Sequence, residues 1–366
     1  MMIIGIDASR ATKSFQRGSD QYSFYLIKNL ARLDFQNEYW LYSPYPPHPE
    51  LTQLPQNFHW KILPFFRFWT HIRLSSEMLC HPPNLLFVPS HVLPWIHPQK
   101  TVVTIHDLAY RYFPSAYPAL NRFYEYLALK LAQGASKIIV PSQATKNDLL
   151  KWTKMNPEKI VVIHHGVDYA IYQSPQEKKV NYPYLLFLGK LEERKNLKRV
   201  IEAFAMLKKE KKLPHKLVLV GQPGFRYQEI DAKIQTLPQS IQKEIIPTGY
   251  LPTHEVIRWL KNADILLFPT LYEGFGLPVL EAMAAGVPVL ASQIPALKEI
   301  ASDAAFFVDP QKPKEIATGI ERLLSDQDVR KQLIQKGQER AKSFSWQKCA
   351  QKTLNVLQAV FQEKGG

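Results

Sequence analysis

Residues 271–286 read Leu271-Tyr272-Glu273-Gly274-Phe275-Gly276-Leu277-Pro278-Val279-Leu280-Glu281-Ala282-Met283-Ala284-Ala285-Gly286, and this pattern predicts a loop that opens into a helix. Pro278 suits the first helical position, because the N–H that proline lacks has no helical partner there. Gly286 suits the residue just past the helix end. Runs of strand length at 264–269 and 287–291 enclose the stretch, so it joins two strands of an α/β sheet.

The loop before this helix has the features of an anion-binding site. Gly274 and Gly276 carry no Cβ atom, so the backbone can pass close to a ligand there. The N–H groups of Phe275, Gly276 and Leu277 then face outward at the positive end of the helix dipole. Phosphate is the usual anion at such an end.

Two glutamates, Glu273 and Glu281, flank this anion site and lie eight residues apart. Carboxylates bind hydroxyl groups, and a phosphate beside hydroxyls is the chemistry of a nucleotide sugar. The run from Tyr272 to Gly286 resembles the Glu-x7-Glu signature of retaining glycosyltransferases of the GT-B fold, in glycosyltransferase family 4 (glycosyl transferases group 1). The resemblance implies that Glu281 holds the ribose hydroxyls and that Glu273, assigned as catalytic, holds hydroxyls of the donor sugar. The alternative is a surface loop followed by a solvated helical glutamate.

The chain has 366 residues, enough for two domains. Strand-length and helical patterns alternate in both halves, which predicts an α/β protein with two doubly wound parallel sheets. The resemblance implies the GT-B form, with two Rossmann-like domains facing a cleft. We expect an acceptor-side domain at residues 1–173 and a nucleotide-sugar domain at 182–344, joined by a polar linker in 173–183. By resemblance, the C-terminal helix at 345–362 packs back on the first domain.

Composition favours a cytoplasmic protein. Cys80 and Cys349 are too few and too far apart for a disulfide framework or a metal site, and they suit a reducing compartment. The first seven residues read as a buried strand rather than a signal peptide, and no apolar run reaches membrane-spanning length.

The net charge of +14 is spread evenly along the chain, since residues 1–180 carry 19 basic and 12 acidic groups and residues 181–366 carry 27 and 20. An even excess fits anionic partners in general rather than a specific nucleic acid. We include peripheral contact with the inner face of a membrane among the expectations.

Three places in the N-terminal half carry candidate site residues. Gly18 opens a helix after the first strand, and by resemblance it approaches the donor phosphates; an ordinary turn glycine is the alternative. His106 follows the strand at 101–105, at the end where open parallel sheets place their chemistry. The resemblance implies that it faces the donor sugar and the acceptor, so it is assigned as catalytic; a histidine bonded to backbone in a turn is the alternative. Asp107 and His91 are assigned to the acceptor side; Asp107 can orient His106 or cap the next turn.

Basic residues follow the first strand of the second half. Lys190, Arg194 and Lys195 lie between a strand end and a helix start, where Asn196 is expected to cap the helix. Cations there can clamp a diphosphate and neutralise it as it leaves. The segment resembles the donor-phosphate clamp of the family, which often has Arg after the glycine. Because Lys190 lacks bidentate geometry, Arg194 and Lys195 are the stronger candidates. A solvated run of charge is the alternative.

Two further motifs complete the donor side. Gly249 and Tyr250 form the turn after the strand at 245–249, which lines the base pocket in the family. Asp326-Gln327-Asp328 matches an Asp-x-Asp metal motif formally, but it lies between two helical patterns, and we interpret it as a solvated turn. We expect no metal and no other cofactor, because basic side chains and a helix N-terminus can stabilise the leaving group. The nucleotide diphosphate sugar is then a substrate.

Residues 65–80 predict a helix with apolar side chains near one face. Those side chains are Phe65, Phe68, Trp69, Ile72 and Leu79, and Arg67, His71 and Arg73 lie elsewhere on the helix. One interpretation is a helix packed on the core. The other is an aromatic and basic surface for a lipid-linked acceptor or membrane headgroups.

The resemblance implies transfer of a sugar, mannose or a related hexose, to a hydroxyl of a glycan or lipid-linked acceptor, with retention and as part of polysaccharide biosynthesis. Glu273 and Glu281 could instead be a glycosidase pair, although the phosphate-binding backbone between them argues against hydrolysis. A nucleotide-sugar epimerase or a phosphorylase on the same fold is a closer rival. A non-catalytic anion- or nucleic-acid-binding protein is the alternative from another class, and its affinity would ignore base identity and fall with salt.

Overall fold

The computed structural model describes residues 1–12, 18–178 and 180–363. The strands, numbered in chain order, are β1 Ile3–Asp7, β2 Glu38–Ser43, β3 Phe58–Ile62, β4 Leu85–Val88, β5 Thr101–Thr104, β6 Lys137–Val140, β7 Ile160–Val162, β8 Tyr184–Leu188, β9 Lys216–Val220, β10 Ile245–Gly249, β11 Ile265–Phe268, β12 Val289–Ser292 and β13 Phe306–Val308. The α-helices are α1 Gly18–Leu33, α2 Ser75–Cys80, α3 Ala109–Tyr112, α4 Ala119–Ala132, α5 Gln143–Trp152, α6 Tyr169–Gln173, α7 Leu197–Lys211, α8 Tyr227–Gln235, α9 Gln239–Gln242, α10 Thr253–Lys261, α11 Leu277–Ala284, α12 Pro295–Ala301, α13 Pro313–Ser325, α14 Gln327–Lys342 and α15 Trp346–Gln362.

These elements form two compact units. The first unit comprises Met1–Leu108, Ala119–Gly166 and Trp346–Gly366, and the second comprises Ala109–Pro118 and Val167–Ser345. The division departs from the expected boundaries in two places, because α6 packs against α11 and the segment 109–118 also belongs to the second unit. Helix α15 lies in the first unit, where it packs against α1.

The first unit is built on a seven-stranded sheet in the order β3-β2-β1-β4-β5-β6-β7. Every neighbouring pair is parallel, and Ile4 of β1 lies opposite Tyr39 on one side and Leu85 on the other. All four residues of β4 are buried, as expected of a central strand covered on both faces. The strand order reverses between β1 and β4, and such a switch point is where open parallel sheets bind ligands.

The second unit repeats this plan with six strands in the order β10-β9-β8-β11-β12-β13. All pairs are parallel, and Ile265 of β11 lies opposite Leu185 of β8. The apolar side chains of α7 are buried in the core of this unit. The two sheets confirm the predicted α/β class with two doubly wound parallel sheets. Here the switch point lies between β8 and β11.

Residues 65–80 differ from the predicted single helix. Residues 65–69 lie outside any helix, Thr70–Leu74 form a π-helical turn, and only Ser75–Cys80 are α-helical. Phe68 has a φ of 54°, a left-handed value that an α-helix cannot accommodate. Of the predicted apolar face only Trp69 is buried, while Phe65, Phe68, Ile72 and Leu79 are exposed. The core-packing interpretation is therefore wrong for this segment.

Candidate active site

Two loops leave the switch point of the second unit, residues 189–196 after β8 and residues 269–276 after β11. Hydrogen bonds join them: the Asn196 Nδ2 donates to the Pro269 carbonyl at 2.8 Å, and the Leu271 N–H donates to the Arg194 carbonyl at 2.8 Å. Asn196 has a φ of 63°, and its side chain ties the loops together instead of capping α7 as predicted. We call the two joined loops the switch-point platform.

The backbone after β8 and the backbone after β9 lie close together where the first platform loop begins. This close approach depends on Gly221, which follows β9. Its φ is 150°, and a Cβ atom there would lie 1.9 Å from the Gly189 carbonyl oxygen. A larger residue would push the ends of β8 and β9 apart, so this glycine sets where the first platform loop begins.

Four charged side chains meet on the platform. The Lys195 Nζ lies 2.5 Å from the Glu273 Oε1, and an Arg194 Nη lies 3.6 Å from the same oxygen. The Arg194 Nε lies 2.6 Å from the Glu192 Oε1. Only 8% of the Lys195 side chain and 10% of the Glu273 side chain are exposed, so this ion pair is nearly withdrawn from water. Two cations and two carboxylates balance in charge.

Burial lowers the pKa of Lys195; the Glu273 carboxylate opposes this shift, and the Arg194 charge adds to it. The three cations predicted as a clamp therefore occupy different environments. Lys195 is held by Glu273, Arg194 is shared between Glu192 and Glu273, and Lys190 is half-exposed at 4.0 Å from Glu192. Glu192 was not predicted to belong to the site, although its position two residues before Arg194 was visible in the sequence.

Helix α11 begins beside this cluster, as the stretch 271–286 predicted. Gly276 precedes it with a φ of 111°, and a Cβ there would come within 2.5 Å of a Leu297 methyl group. The side chains of Phe275 and Leu277 are buried, and the Phe275 ring meets Phe344 edge-on. Any ligand contact from these two residues would therefore come from their backbone. Glu281, on the same helix, is 9% exposed.

The remaining donor-side candidates lie at other strand ends. Gly249 ends β10, at the edge of the second sheet, with a φ of 72°, and a Cβ atom added there would meet no other atom within 4 Å. Tyr250 follows it and is 40% exposed. Gly18 is the first residue of α1, and most of the loop before it, residues 13–17, lies outside the described residues. The ligand roles of these residues stay predictions.

His106 follows β5 in the first unit. Its Nε2 lies 3.0 Å from the Pro89 carbonyl, which can only accept, so Nε2 carries the proton and Nδ1 is the acceptor of the neutral ring. Burial lowers the pKa of His106 to about 4; the Pro89 hydrogen bond opposes the shift and the nearby His91 adds to it. His106 is therefore neutral at physiological pH, and it can accept a hydrogen bond from a hydroxyl.

An aromatic cluster packs around His106. The rings of Tyr22 and His165 lie 5.0 Å and 5.3 Å from it, both roughly edge-on. His165 also stacks on Trp346 of α15 at 5.9 Å, and the Tyr22 hydroxyl is 3.2 Å from the Thr104 hydroxyl. The contact of His165 with His106 was not predicted.

The two acceptor-side candidates, His91 and Asp107, are close to His106 in the sequence. The His91 Nε2 lies 2.8 Å from a carboxylate oxygen of Glu125, which belongs to α4. Asp107 is half-buried next to His106. Glu125 was not predicted, because nothing in the sequence links α4 to the loop after β4.

A stacked tyrosine pair supports the platform in the second unit. Tyr112 of α3 stacks on Tyr272 at 4.9 Å, and the Ser115 hydroxyl lies 3.5 Å from a carboxylate oxygen of Glu193. Tyr272 directly precedes Glu273, and Glu193 directly precedes Arg194. The segment 109–118 thus contacts both loops of the platform, which the sequence did not indicate.

Asp326 has a structural role. It caps α14, its Oδ1 accepting from the N–H groups of Asp328 and Val329 at 3.1 and 3.0 Å, and it pairs with Arg322 at 2.6 Å. Within residues 1–12, 18–178 and 180–363, no three His, Cys, Asp or Glu side chains are grouped so that they could hold a metal ion. Over the same ranges, no helix combines the length and apolar character needed to cross a membrane.

Two family models match the chain. The model described as glycosyl transferases group 1 matches residues 169–340, and that described as glycosyltransferase family 4 matches residues 17–170. Among curated proteins, the O-antigen chain mannosyltransferase B of Escherichia coli is 28% identical over 301 residues, which are 79% of this chain and 76% of that protein.

Solved structures share the fold. Sucrose-phosphate synthase from Thermosynechococcus elongatus superposes with a TM-score of 0.78 at 18% identity, covering 100% of both chains. Anabaena HepE in complex with UDP-glucose gives a TM-score of 0.76 at 17% identity, covering 98% of this chain and 100% of that chain. Together the two family models cover residues 17–340, and the chain therefore belongs to the family 4, group 1 glycosyltransferases with the GT-B fold.

Proposed function

We propose that this enzyme transfers a hexose from a nucleotide diphosphate sugar to a hydroxyl of a glycan or lipid-linked acceptor, with retention and without a metal ion. The observation that carries the proposal is the nearly buried Lys195–Glu273 pair beside the N-terminus of α11, at the switch point of the second sheet. Similarity to a protein named as a mannosyltransferase supports mannose or a close relative as the sugar. The UDP-glucose complex of the similarly folded HepE supports a nucleotide sugar as the donor.

The donor-binding roles divide among the residues of the second unit. Backbone N–H groups at the start of α11 and the side chains of Lys190 and Arg194 meet the diphosphate. Glu281 binds the ribose hydroxyls, and Glu273 binds hydroxyls of the sugar. Lys195 holds Glu273 in place through their ion pair, so its own charge is shared with that carboxylate.

In the chemical step, the bond from the anomeric carbon to the phosphate oxygen breaks and a bond to the acceptor oxygen forms on the same face. The acceptor proton passes to an oxygen of the leaving phosphate, so no covalent intermediate is needed. The cations and the helix N-terminus stabilise the charge that develops on the diphosphate. In the first unit, the neutral His106 accepts a hydrogen bond from a hydroxyl through its Nδ1.

We further propose a cytoplasmic location, with the acceptor reached at the inner face of a membrane. The two distant cysteines support a reducing compartment. The even basic excess supports attraction to anionic partners, among them nucleotide diphosphates and anionic lipid headgroups.

The test is to incubate the purified enzyme with GDP-mannose, UDP-glucose and ADP-glucose in EDTA, without acceptor, and to follow release of nucleoside diphosphate. The proposal expects slow hydrolysis of one donor in this incubation. When a sugar acceptor is then added, NMR of the product should show that the α or β configuration of the donor is preserved. Binding that ignores the base and collapses with salt, with no turnover, would favour the non-catalytic alternative.

A further inference from the structure

Glu192 lies between the two cations whose side chains meet the diphosphate in the proposed function. Its Oε1 lies 2.6 Å from the Arg194 Nε, and its Oε2 lies 4.0 Å from the Lys190 Nζ. Only 13% of the Glu192 side chain is exposed. A carboxylate in this position attracts the cations but repels an incoming anion. It therefore works against the ligand that the site is expected to bind.

The backbone around Glu192 is anchored to the loop after β9. The Leu191 N–H donates to the Gln222 carbonyl at 2.9 Å, and the Gly224 N–H donates to the Leu191 carbonyl at 2.9 Å. A Cβ atom added at Gly224 would lie 2.8 Å from the Glu192 Cβ, so the two chains touch there. The Glu192 carbonyl accepts from the Lys195 N–H at 3.0 Å. These contacts keep the carboxylate of Glu192 beside the two cations.

The Arg194 guanidinium is held on two sides. Glu192 lies at its Nε, and an Nη group donates to the Tyr272 carbonyl at 3.3 Å and lies 3.6 Å from the Glu273 carboxylate. Only 14% of the Arg194 side chain is exposed. If Glu192 lost its charge, Arg194 would still be held by Tyr272 and Glu273.

The charge of the platform depends on Glu192. Lys190, Arg194 and Lys195 supply three positive charges, and Glu192 and Glu273 supply two negative ones, which leaves a net charge of +1. Without the Glu192 carboxylate the net charge would be +2. The added charge would lie in a partly buried site, where water screens it less than at the surface.

We propose that Glu192 is a positioning residue that holds Arg194 and limits the affinity of the platform for a diphosphate, so that the nucleoside diphosphate product can leave. This inference rests on the proposed function, in which Lys190 and Arg194 meet the diphosphate. In the empty site Glu192 neutralises a cation that would otherwise be buried without a partner. In the occupied site it repels the phosphates that the same cation attracts.

The proposal makes a prediction opposite in sign to that of a purely structural role. If Glu192 only kept Arg194 in place, removing its charge would loosen Arg194 and weaken diphosphate binding. If Glu192 limits affinity, removing its charge strengthens binding. The variant Glu192→Gln separates the two cases, because glutamine keeps a side-chain oxygen that can accept from the Arg194 Nε but carries no charge.

The test measures the binding of UDP, GDP and ADP by calorimetry, in the wild type and in Glu192→Gln. The affinity for the diphosphate that the wild type binds best should rise about tenfold in the variant, since one neighbouring charge of like sign is withdrawn. The inhibition constant of the same diphosphate against donor hydrolysis should fall by a similar factor. Both are measured below the melting temperature of each variant, which circular dichroism gives.

Two further variants serve as controls. Glu192→Asp keeps the charge, so it should bind the diphosphate as the wild type does. Glu244→Gln makes the same change in net charge elsewhere in the second unit. Glu244 also pairs with a lysine, Lys208 at 3.4 Å, but it directly precedes β10, at the opposite edge of the sheet from the platform. Its replacement should leave the affinity unchanged.

The outcomes separate this inference from the proposed function. A wild type that binds a diphosphate, with equal or weaker binding in Glu192→Gln, would overturn the inference and leave the proposed function standing. A gain in Glu192→Asp or Glu244→Gln as large as that in Glu192→Gln would also overturn it, because the charge at residue 192 would not be the cause. A wild type that binds none of the three diphosphates would overturn the proposed function and the inference together.

Discussion

The Lys195–Glu273 pair leads to a quantitative prediction for stability. The Nζ–Oε1 distance is 2.5 Å and each side chain is at most 10% exposed. Removing one partner of such a pair destabilises a protein by about 3–5 kcal/mol, because the other charge stays buried without compensation. Glu273→Gln leaves Lys195 beside the like charge of Arg194, so we expect a loss of about 3 kcal/mol or more in the free energy of unfolding.

Removing the cation of the pair should lower the free energy of unfolding less than removing the carboxylate does. Lys195→Met leaves Glu273 with Arg194 at 3.6 Å, and we expect a loss of about 1–2 kcal/mol. In the double variant neither buried charge of the pair remains, so it should be no less stable than Glu273→Gln alone. The coupling energy from this cycle should then be at least the loss caused by Lys195→Met alone, about 1–2 kcal/mol.

Urea unfolding at pH 7, followed by intrinsic fluorescence, measures the cycle. The exposed pair Lys336–Asp303 is the matched control; its atoms lie 2.7 Å apart but its side chains are 49% and 73% exposed, so its coupling should be below about 1 kcal/mol. The pH dependence follows from the pKa of Lys195, which burial already lowers. Raising the pH deprotonates Lys195 in the folded Glu273→Gln variant, so the loss in that variant should shrink. Losses that simply add, within about 0.5 kcal/mol, would refute the reasoning.

Three further predictions concern other residues. Because the pKa of His106 is about 4 in the fold against an ordinary 6.5, the unfolded chain binds more protons between these values. Acidification from pH 6.5 to 4 should therefore destabilise the wild type by up to about 3 kcal/mol more than His106→Gln, as measured by urea unfolding. Glu281→Ala should weaken nucleoside diphosphate binding by about 1–3 kcal/mol in calorimetry, and unchanged affinity for UDP, GDP and ADP would exclude the ribose role. Gly221→Ala should destabilise by about 3 kcal/mol or more, because its Cβ would lie 1.9 Å from the Gly189 oxygen, whereas Gly249→Ala should lose only about 1 kcal/mol; equal shifts in melting temperature would contradict this.

The fold could be predicted because its signals are local. The apolar runs of β8 and β11 are continuous, because both faces of these strands are buried, and the apolar stripe of α7 repeats with the helical period. The prediction for residues 271–286 also depended on local signals, because Gly276 and Gly286 both adopt the left-handed φ that glycine permits.

The site could be predicted only in part, because its pairings are not local. Glu192 and Glu273 are 81 residues apart in sequence, yet both pair with Arg194. The cations predicted to clamp a diphosphate are therefore already paired with carboxylates, which the sequence did not indicate. Asn196 resembled a helix cap, but its amide group donates to two distant carbonyls instead. In the same way, helical spacing at Phe65 and Phe68 could not reveal that no core layer covers them.

The most direct test of sugar transfer at the platform compares binding and turnover in Glu273→Gln, with Arg194→Ala beside it. Calorimetry with the matching nucleoside diphosphate and initial rates with the sugar donor are measured at a temperature where all variants are folded. Glu273 meets the sugar in our account, and its removal frees the Lys195 charge, so nucleoside diphosphate binding should persist or tighten. Turnover should still fall by about a hundredfold, since sugar orientation matters most as the bond breaks. Arg194→Ala should weaken binding and turnover together. Equal loss of nucleoside diphosphate binding in both variants would mean that Glu273 only shapes the loop, and would contradict the account.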